Sequence, residues 1–145
     1  MKGMSPIVKN TASVVTAFVM MYGIYVTVTG HITPGGGFAG GVIIMAGVVL
    51  LVLSYGGDPI REVTAEGECH VLEGLGAMAF LLVAVIGLFG GAFFANWLGT
   101  GRPMELLSGG TILISNLAIG LKVAAGLTGI FLALVLAIRA AMPKE

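Results

Sequence analysis

One lysine of this sequence lies where a charge is hard to hold. Lys122 stands midway through Leu106–Ile138, a stretch that contains no other charged residue. A lysine at the centre of a bilayer costs about 2.5–3.5 kcal/mol on insertion scales, and roughly 24 Å of helix separates Lys122 from either end of the stretch. That separation exceeds the reach of its side chain, so we expect Lys122 to face another helix, a carboxylate or a hydrated cavity. It could act there as a proton or cation relay, or form a structural ion pair between subunits.

Two further ionisable residues stand at the edges of apolar stretches. His31 lies in a short turn between two such stretches, and histidine is the side chain that most readily changes charge near neutral pH. Glu73 begins another apolar stretch, where a carboxylate is favoured by the helix dipole and could also mark an ion entrance. The residues alone leave simpler interpretations open, namely a hydrogen-bonding role for His31 at the membrane surface and a purely dipolar role for Glu73.

Glycine makes up 24 of the 145 residues, and much of it falls inside apolar stretches. Small residues let helices approach closely in a bilayer, so pairs of glycines four residues apart predict packing faces. Pro34, Gly35, Gly36 and Gly37 also allow a second interpretation, because a proline followed by three glycines permits conformations that a helix forbids. Exposed amides there could line a water-filled or ionic site. The pairs that predict packing are Gly36–Gly40, Gly37–Gly41 and Gly87–Gly91.

The sequence predicts no catalytic residue, no metal site and no cofactor. Cys69, His70 and the nearby acidic residues could ligate a metal only in principle, and a solvated acidic loop is the simpler interpretation. There is no nucleophile–base arrangement and no phosphate-binding loop, and the run Gly35–Gly37 lacks the spacing of a dinucleotide fingerprint.

The composition predicts an integral membrane protein. Of the 145 residues 57% are hydrophobic and 10% are charged, the net charge is zero, and the mean hydropathy is +1.06. These values exclude a nucleic-acid-binding protein, a disordered chain and an ordinary soluble enzyme. About 20 apolar residues cross the hydrocarbon as a helix. We predict an all-α protein with one membrane domain, residues 1–145, and four transmembrane helices at approximately 11–29, 36–55, 74–95 and 110–138.

The distribution of lysine and arginine predicts an orientation. In a four-helix topology five of these residues fall on one side of the membrane and only Arg102 falls on the other. The positive-inside rule then places both termini in the cytoplasm of a multi-pass protein of the cell membrane. The five residues are Lys2, Lys9, Arg61, Arg139 and Lys144.

Two separated motifs resemble those of a known family. The stretch Gly30–Gly41 reads GHITPGGGFAGG and resembles the G-H-x-x-P-G-G-G-F-x-G-G signature of the MnhB domain family. The stretch Asn116–Val123 reads NLAIGLKV and resembles the second signature of that family, N-x-A-I-G-L-K-V. Its members are the B subunits of Mrp-type multisubunit sodium/proton antiporters, and the same module is built into archaeal membrane-bound hydrogenases and related sulfur-reducing and formate-linked complexes.

The resemblance implies a small subunit that is not catalytic on its own and contributes to sodium or proton translocation. Its implied partners are the other subunits of an Mrp-type antiporter or a membrane-bound hydrogenase-type complex, the lipid bilayer and Na+ or H+, with no nucleic acid. Lys122 and His31 match motif positions and Glu73 matches less closely; together they form the expected ion pathway beside the Pro34–Gly37 loop. A purely structural scaffold is the alternative. Scarcity of amides slightly favours a hydrogen-evolving, hydrogenase-type parent.

Overall fold

Four helices make up the regular structure of the residues that the structure describes. The computed structural model describes residues 4–56, 66–99, 101–102 and 104–141. Its helices are α1 (Pro6–Thr29), α2 (Gly37–Tyr55), α3 (Glu66–Phe89) and α4 (Thr111–Ala141), and the described residues contain no strand. Each helix is long and apolar enough to cross a membrane. The all-α class with four candidate membrane spans is confirmed.

Proline and glycine fix the ends of the first two helices. Pro6 occupies the first turn of α1, where its missing N–H is not needed. Gly36 precedes α2 with a φ of 110° and Gly56 follows it with a φ of 79°, and both values lie in the region that glycine adopts without steric cost. The glycine-rich segment therefore ends the turn and starts α2 at Gly37.

The third helix differs most from its predicted bounds of 74–95. It begins at Glu66, because polar residues at the end of a membrane helix can continue the helix into the aqueous boundary. It ends at Phe89, where Gly90 donates a turn hydrogen bond to the carbonyl of Gly87 and Gly91 follows with a φ of 103°. The segment interpreted as an acidic loop is thus the first two turns of α3.

Gly87 and Gly91 do not form the predicted packing pair. Gly91 lies beyond the helix, and a Cβ placed on it would meet no atom within 4 Å. A Cβ on Gly87 would lie 2.6 Å from the backbone nitrogen of Ala95. Gly87 therefore makes room for the chain that follows α3, which folds back and places the Phe94 ring 5.2 Å from that of Phe80.

The helices pack in the order α1, α2, α4, α3. The main contacts join α1 to α2, α2 to α4 and α4 to α3, with a smaller contact between α1 and α4. At one end of the bundle the start of α1 is joined to the end of α2, because the Met4 amide donates a hydrogen bond to the Ser54 carbonyl at 2.9 Å. At the same end Val52, Cys69 and Leu132 form a buried cluster that fixes the start of α3 on α4.

The outer faces of the helices remain apolar and exposed. Phe18 of α1 is 63% exposed, Leu81 of α3 is 55% exposed and Ile130 of α4 is 67% exposed. In water such faces would be unfavourable, so they suit lipid or other membrane helices. Three of the cations that predict the orientation, Lys2, Arg61 and Lys144, lie outside the described residues.

Candidate functional site

The two sequence motifs meet where α2 begins beside α4. The Gly37 amide donates a hydrogen bond to Oδ1 of Asn116 at 3.4 Å, which satisfies one of the free N–H groups at the start of a helix. A Cβ on Gly37 would overlap the backbone oxygen of Asn116, and a Cβ on Gly41 would lie 2.8 Å from that of Gly120. Glycines at these two positions therefore let α2 and α4 touch through their backbones.

The rest of the Pro34–Gly37 loop is more open. Pro34 and Gly35 are exposed, Gly36 is half-buried and Gly37 is buried. Because the Gly37 amide already donates to the Asn116 side chain, the end of the loop serves to start α2 and to pack it against α4. An ion-lining role for Pro34–Gly36 stays a prediction.

Thr27 extends the same contact to a third helix. Its hydroxyl donates to the Gly23 carbonyl at 2.8 Å within α1. Its side chain is 5% exposed, and a Cβ on Gly120 would lie 2.8 Å from its methyl carbon. A cavity of about 230 Å³ adjoins it between α1, α2 and α4. The residues that line this cavity are Ile24, Thr27, Ile44, Leu117, Gly120, Leu121 and Ala124.

His31 lies at the same end of the bundle, against the connection between α3 and α4. A Cβ on Gly109 would lie 2.9 Å from Cδ2 of the imidazole and 3.0 Å from Cγ. Both ring nitrogens are buried, and neither has a hydrogen-bond partner within the described part of the chain. An imidazole always carries at least one N–H donor, and buried polar groups are normally hydrogen-bonded. His31 is therefore suited to bind an ordered water molecule or an ion at this end of the bundle.

Lys122 occupies the seam between α3 and α4. A Cβ on Gly76 of α3 would lie 2.9 Å from the Lys122 Cβ and 2.8 Å from its backbone nitrogen. The Lys122 side chain is exposed on this chain alone. No carboxylate oxygen among the described residues lies within 4.0 Å of its ammonium group.

Glu73 lies on the same seam, one helical turn along α4 from Lys122. Its carboxylate rests on Gly126, where an added Cβ would lie 3.2 Å from the Glu73 Cδ and 3.3 Å from Oε1. The side chain is half-buried. The structure thus brings Glu73 and Lys122 together and sets His31 apart, near the start of α2.

Asn116 and Thr27 are the residues that the site prediction left out. Asn116 is part of the second sequence motif, but no role was predicted for it. An amide within an apolar span is itself a signal, because such side chains commonly bond to a neighbouring helix. The described residues contain no group of three or more His, Cys, Asp or Glu side chains that could hold a metal.

Comparison with known proteins agrees with this architecture. A family model described as a domain related to the MnhB subunit of Na+/H+ antiporter matches residues 7–129. A Staphylococcus aureus (strain Newman) protein that carries the name of antiporter subunit mnhB2 is 27% identical over 119 residues, which cover 82% of each chain. An uncharacterized protein of Methanocaldococcus jannaschii is 38% identical over 131 residues, which cover 86% of this chain and 50% of the relative.

A solved structure gives the same fold. One chain of the membrane-bound sulfane sulfur reductase, an archaeal respiratory membrane complex, matches with a TM-score of 0.75 and 34% identity over 88% of this chain and 56% of that chain. This chain thus spans about half the length of that chain and of the Methanocaldococcus relative. The solved relative comes from a sulfur reductase, so the comparisons lend no support to the expected hydrogenase-type parent or to hydrogen evolution. Because the family model matches most of its length, the chain belongs to the MnhB domain family.

Proposed function

We propose that this chain is an ion-translocating subunit of a multisubunit membrane complex of the antiporter type. Its route for sodium ions or protons includes Lys122 and Glu73 at the α3–α4 seam. His31 lies apart at the start of α2 and serves as an exchange point at that end. The parent complex is either a free antiporter or a respiratory complex that couples redox chemistry to ion movement, because the named relatives come from both kinds of assembly.

The exposure of Lys122 in the middle of a membrane helix carries this proposal. The span Thr111–Ile138 holds no other charged residue, and a lysine in hydrocarbon is expensive. The described residues leave Lys122 exposed, so its ammonium group can meet water or a polar group of another subunit. Ionisable residues held at such a depth commonly mark ion pathways in membrane proteins.

Removal of the amine tests the proposal in the assembled complex. In Lys122→Ala, we expect the complex to assemble at a lower yield, while coupled sodium or proton transport per assembled complex falls about tenfold, equivalent to about 1.4 kcal/mol of barrier. Ile130→Ala, at an exposed position of the same helix away from the cavity, is the control that should retain transport. Full transport by the lysine variant would reject the role of Lys122.

A structural scaffold is the second candidate, and the glycine contacts between α2 and α4 favour it. Gly37 and Gly41 admit no side chain without displacing the backbone of α4. The scaffold alternative predicts that Gly37→Leu prevents assembly and that Lys122→Met is tolerated in assembly and transport. Gly74→Leu is a matched control on α3, because a Cβ there meets nothing within 4 Å. Recovery of intact complex from Gly37→Leu would count against the scaffold.

A further inference from the structure

A reciprocal arrangement of glycines and charges joins α3 to α4. Gly76 of α3 lies against Lys122 of α4, and Gly126 of α4 lies against the Glu73 carboxylate of α3. On each helix the ionisable residue and the glycine are three or four positions apart, which puts them on the same face. Each glycine therefore leaves room for the ionisable residue of the opposite helix.

The geometry keeps the two charged groups close but separate. Gly126 lies one turn of helix, about 5.4 Å, along α4 from Lys122. The lysine side chain can therefore reach the Glu73 carboxylate that rests on Gly126. Side chains lean toward the N-terminus of their own helix, and α3 and α4 run in opposite directions. Glu73 and Lys122 thus lean apart along the seam, which explains why no ion pair joins them in the structure.

Within the described helices no carboxylate other than Glu73 lies near the depth of Lys122. The acidic residues of the described helices are Glu66, Glu68 and Glu73, all in α3, and Glu73 is the furthest from the end of that helix. Glu68 is exposed and lies five residues closer to the start of α3. An unpaired charge is costly in surroundings of low dielectric, where an opposite charge attracts strongly.

We infer that Glu73 is the intrasubunit counter-ion of Lys122 and that the pair opens and closes. It closes when the ammonium group turns along α4 toward Gly126, and it opens when that group faces outward, as the exposure of Lys122 indicates. The outward position presents the charge to another subunit or to water, and the inward position withdraws it. The part that this exchange plays in transport rests on the proposed function, whereas the pairing itself does not.

A double-mutant cycle on the assembled complex tests the pairing without measuring transport. Glu73→Gln and Lys122→Gln each leave one charge without its counter-ion, so we expect each to lower the midpoint temperature of heat disassembly and the yield of complex. The combined variant should lose less than the sum of the two. Additive losses, or no loss from either single variant, would overturn the inference.

Transport by the same preparations separates the two proposals. If Lys122→Gln loses transport and the stability losses of the two single variants are additive, the proposed function stands and the pairing is overturned. If the stability losses are non-additive and transport is normal, the pairing is confirmed and the proposed function is overturned.

Gly126 offers a second test of the same geometry. Gly126→Ala places a methyl group 3.2 Å from the Glu73 Cδ and must displace the carboxylate, whereas Gly129→Ala places one 3.5 Å from the Cβ of Cys69, an ordinary contact. We expect Gly126→Ala to reduce the non-additivity between positions 73 and 122 several-fold, and Gly129→Ala to preserve it. If the non-additivity is the same in the Gly126→Ala and Gly129→Ala backgrounds, the contact of the Glu73 carboxylate with Gly126 plays no part in the pair.

Discussion

At the scale of the residue, the chain places its few polar groups unevenly. Asn116 and Thr27 are tied into hydrogen bonds between or within helices, whereas His31 and Lys122 are left without a partner among the described residues. An unpaired ionisable group within a membrane costs free energy. The two groups that lack a partner within the described part of the chain are therefore the ones we expect to act on ions or on other subunits.

His31 gives the first prediction at this scale. His31→Leu removes two buried nitrogens that have no hydrogen-bond partner among the described residues, so we expect the heat stability of the complex to stay equal or rise. If His31 exchanges ions, transport should nevertheless fall about tenfold. Disassembly at a lower temperature with normal transport would instead mark His31 as a structural residue that is bonded within the complex.

Asn116 is expected to behave in the opposite way. Asn116→Ala removes the acceptor of the Gly37 amide and should destabilise the contact of α2 with α4 by about 1 kcal/mol. Differential scanning fluorimetry of the purified complex would detect this loss. Leu117→Ala, at the exposed neighbouring position, serves as the control, and equal stability of the two variants would contradict the hydrogen bond.

At the scale of the element, charge-free stretches of the right length predict helices well. The four spans could be found because the bilayer permits few other structures. Helix ends were less predictable: α3 begins eight residues before its expected start, since Glu68 and His70 continue the helix beyond the apolar core. It stops at Phe89 because Gly90 and Gly91 form a turn, although the sequence there is still apolar.

Contacts between elements could be predicted only in kind. The pair Gly37–Gly41 correctly indicated that α2 packs closely, whereas Gly36 lies before the helix and a Cβ on it would make no close contact. The spacing of the pair does not identify the partner helix. The bond from Gly37 to Asn116 and the contact of Glu73 with Gly126 each join distant parts of the sequence. Both depend on the order α1, α2, α4, α3, which no local pattern encodes.

At the scale of the whole molecule, the arrangement is a row of helices with exposed apolar faces. The two outer helices, α1 and α3, present Phe18, Tyr22, Leu75 and Leu82 outward, all of them more than half exposed. A row of this kind has two faces to offer to lipid or to larger subunits, which agrees with the multisubunit complex of the solved relative.

The orientation of this row is a prediction that chemical labelling can test. In a Cys69→Ser background, Arg102→Cys should react with a membrane-impermeant maleimide in intact cells, because Arg102 lies in the connection between α3 and α4. Ser5→Cys should react only after the cells are opened, since we place the start of α1 in the cytoplasm. Labelling of Ser5→Cys in intact cells would reverse the assigned orientation.

We propose that ion transport by the complex depends on Lys122, and Lys122→Arg tests whether its amine acts there as a proton relay rather than as a fixed charge. Arginine keeps the positive charge but does not release its proton in proteins. The measurement is the rate of coupled sodium or proton transport per assembled complex in reconstituted vesicles. We expect normal assembly with transport reduced about tenfold. Transport at the wild-type rate would contradict the claim and assign Lys122 to a permanent structural ion pair.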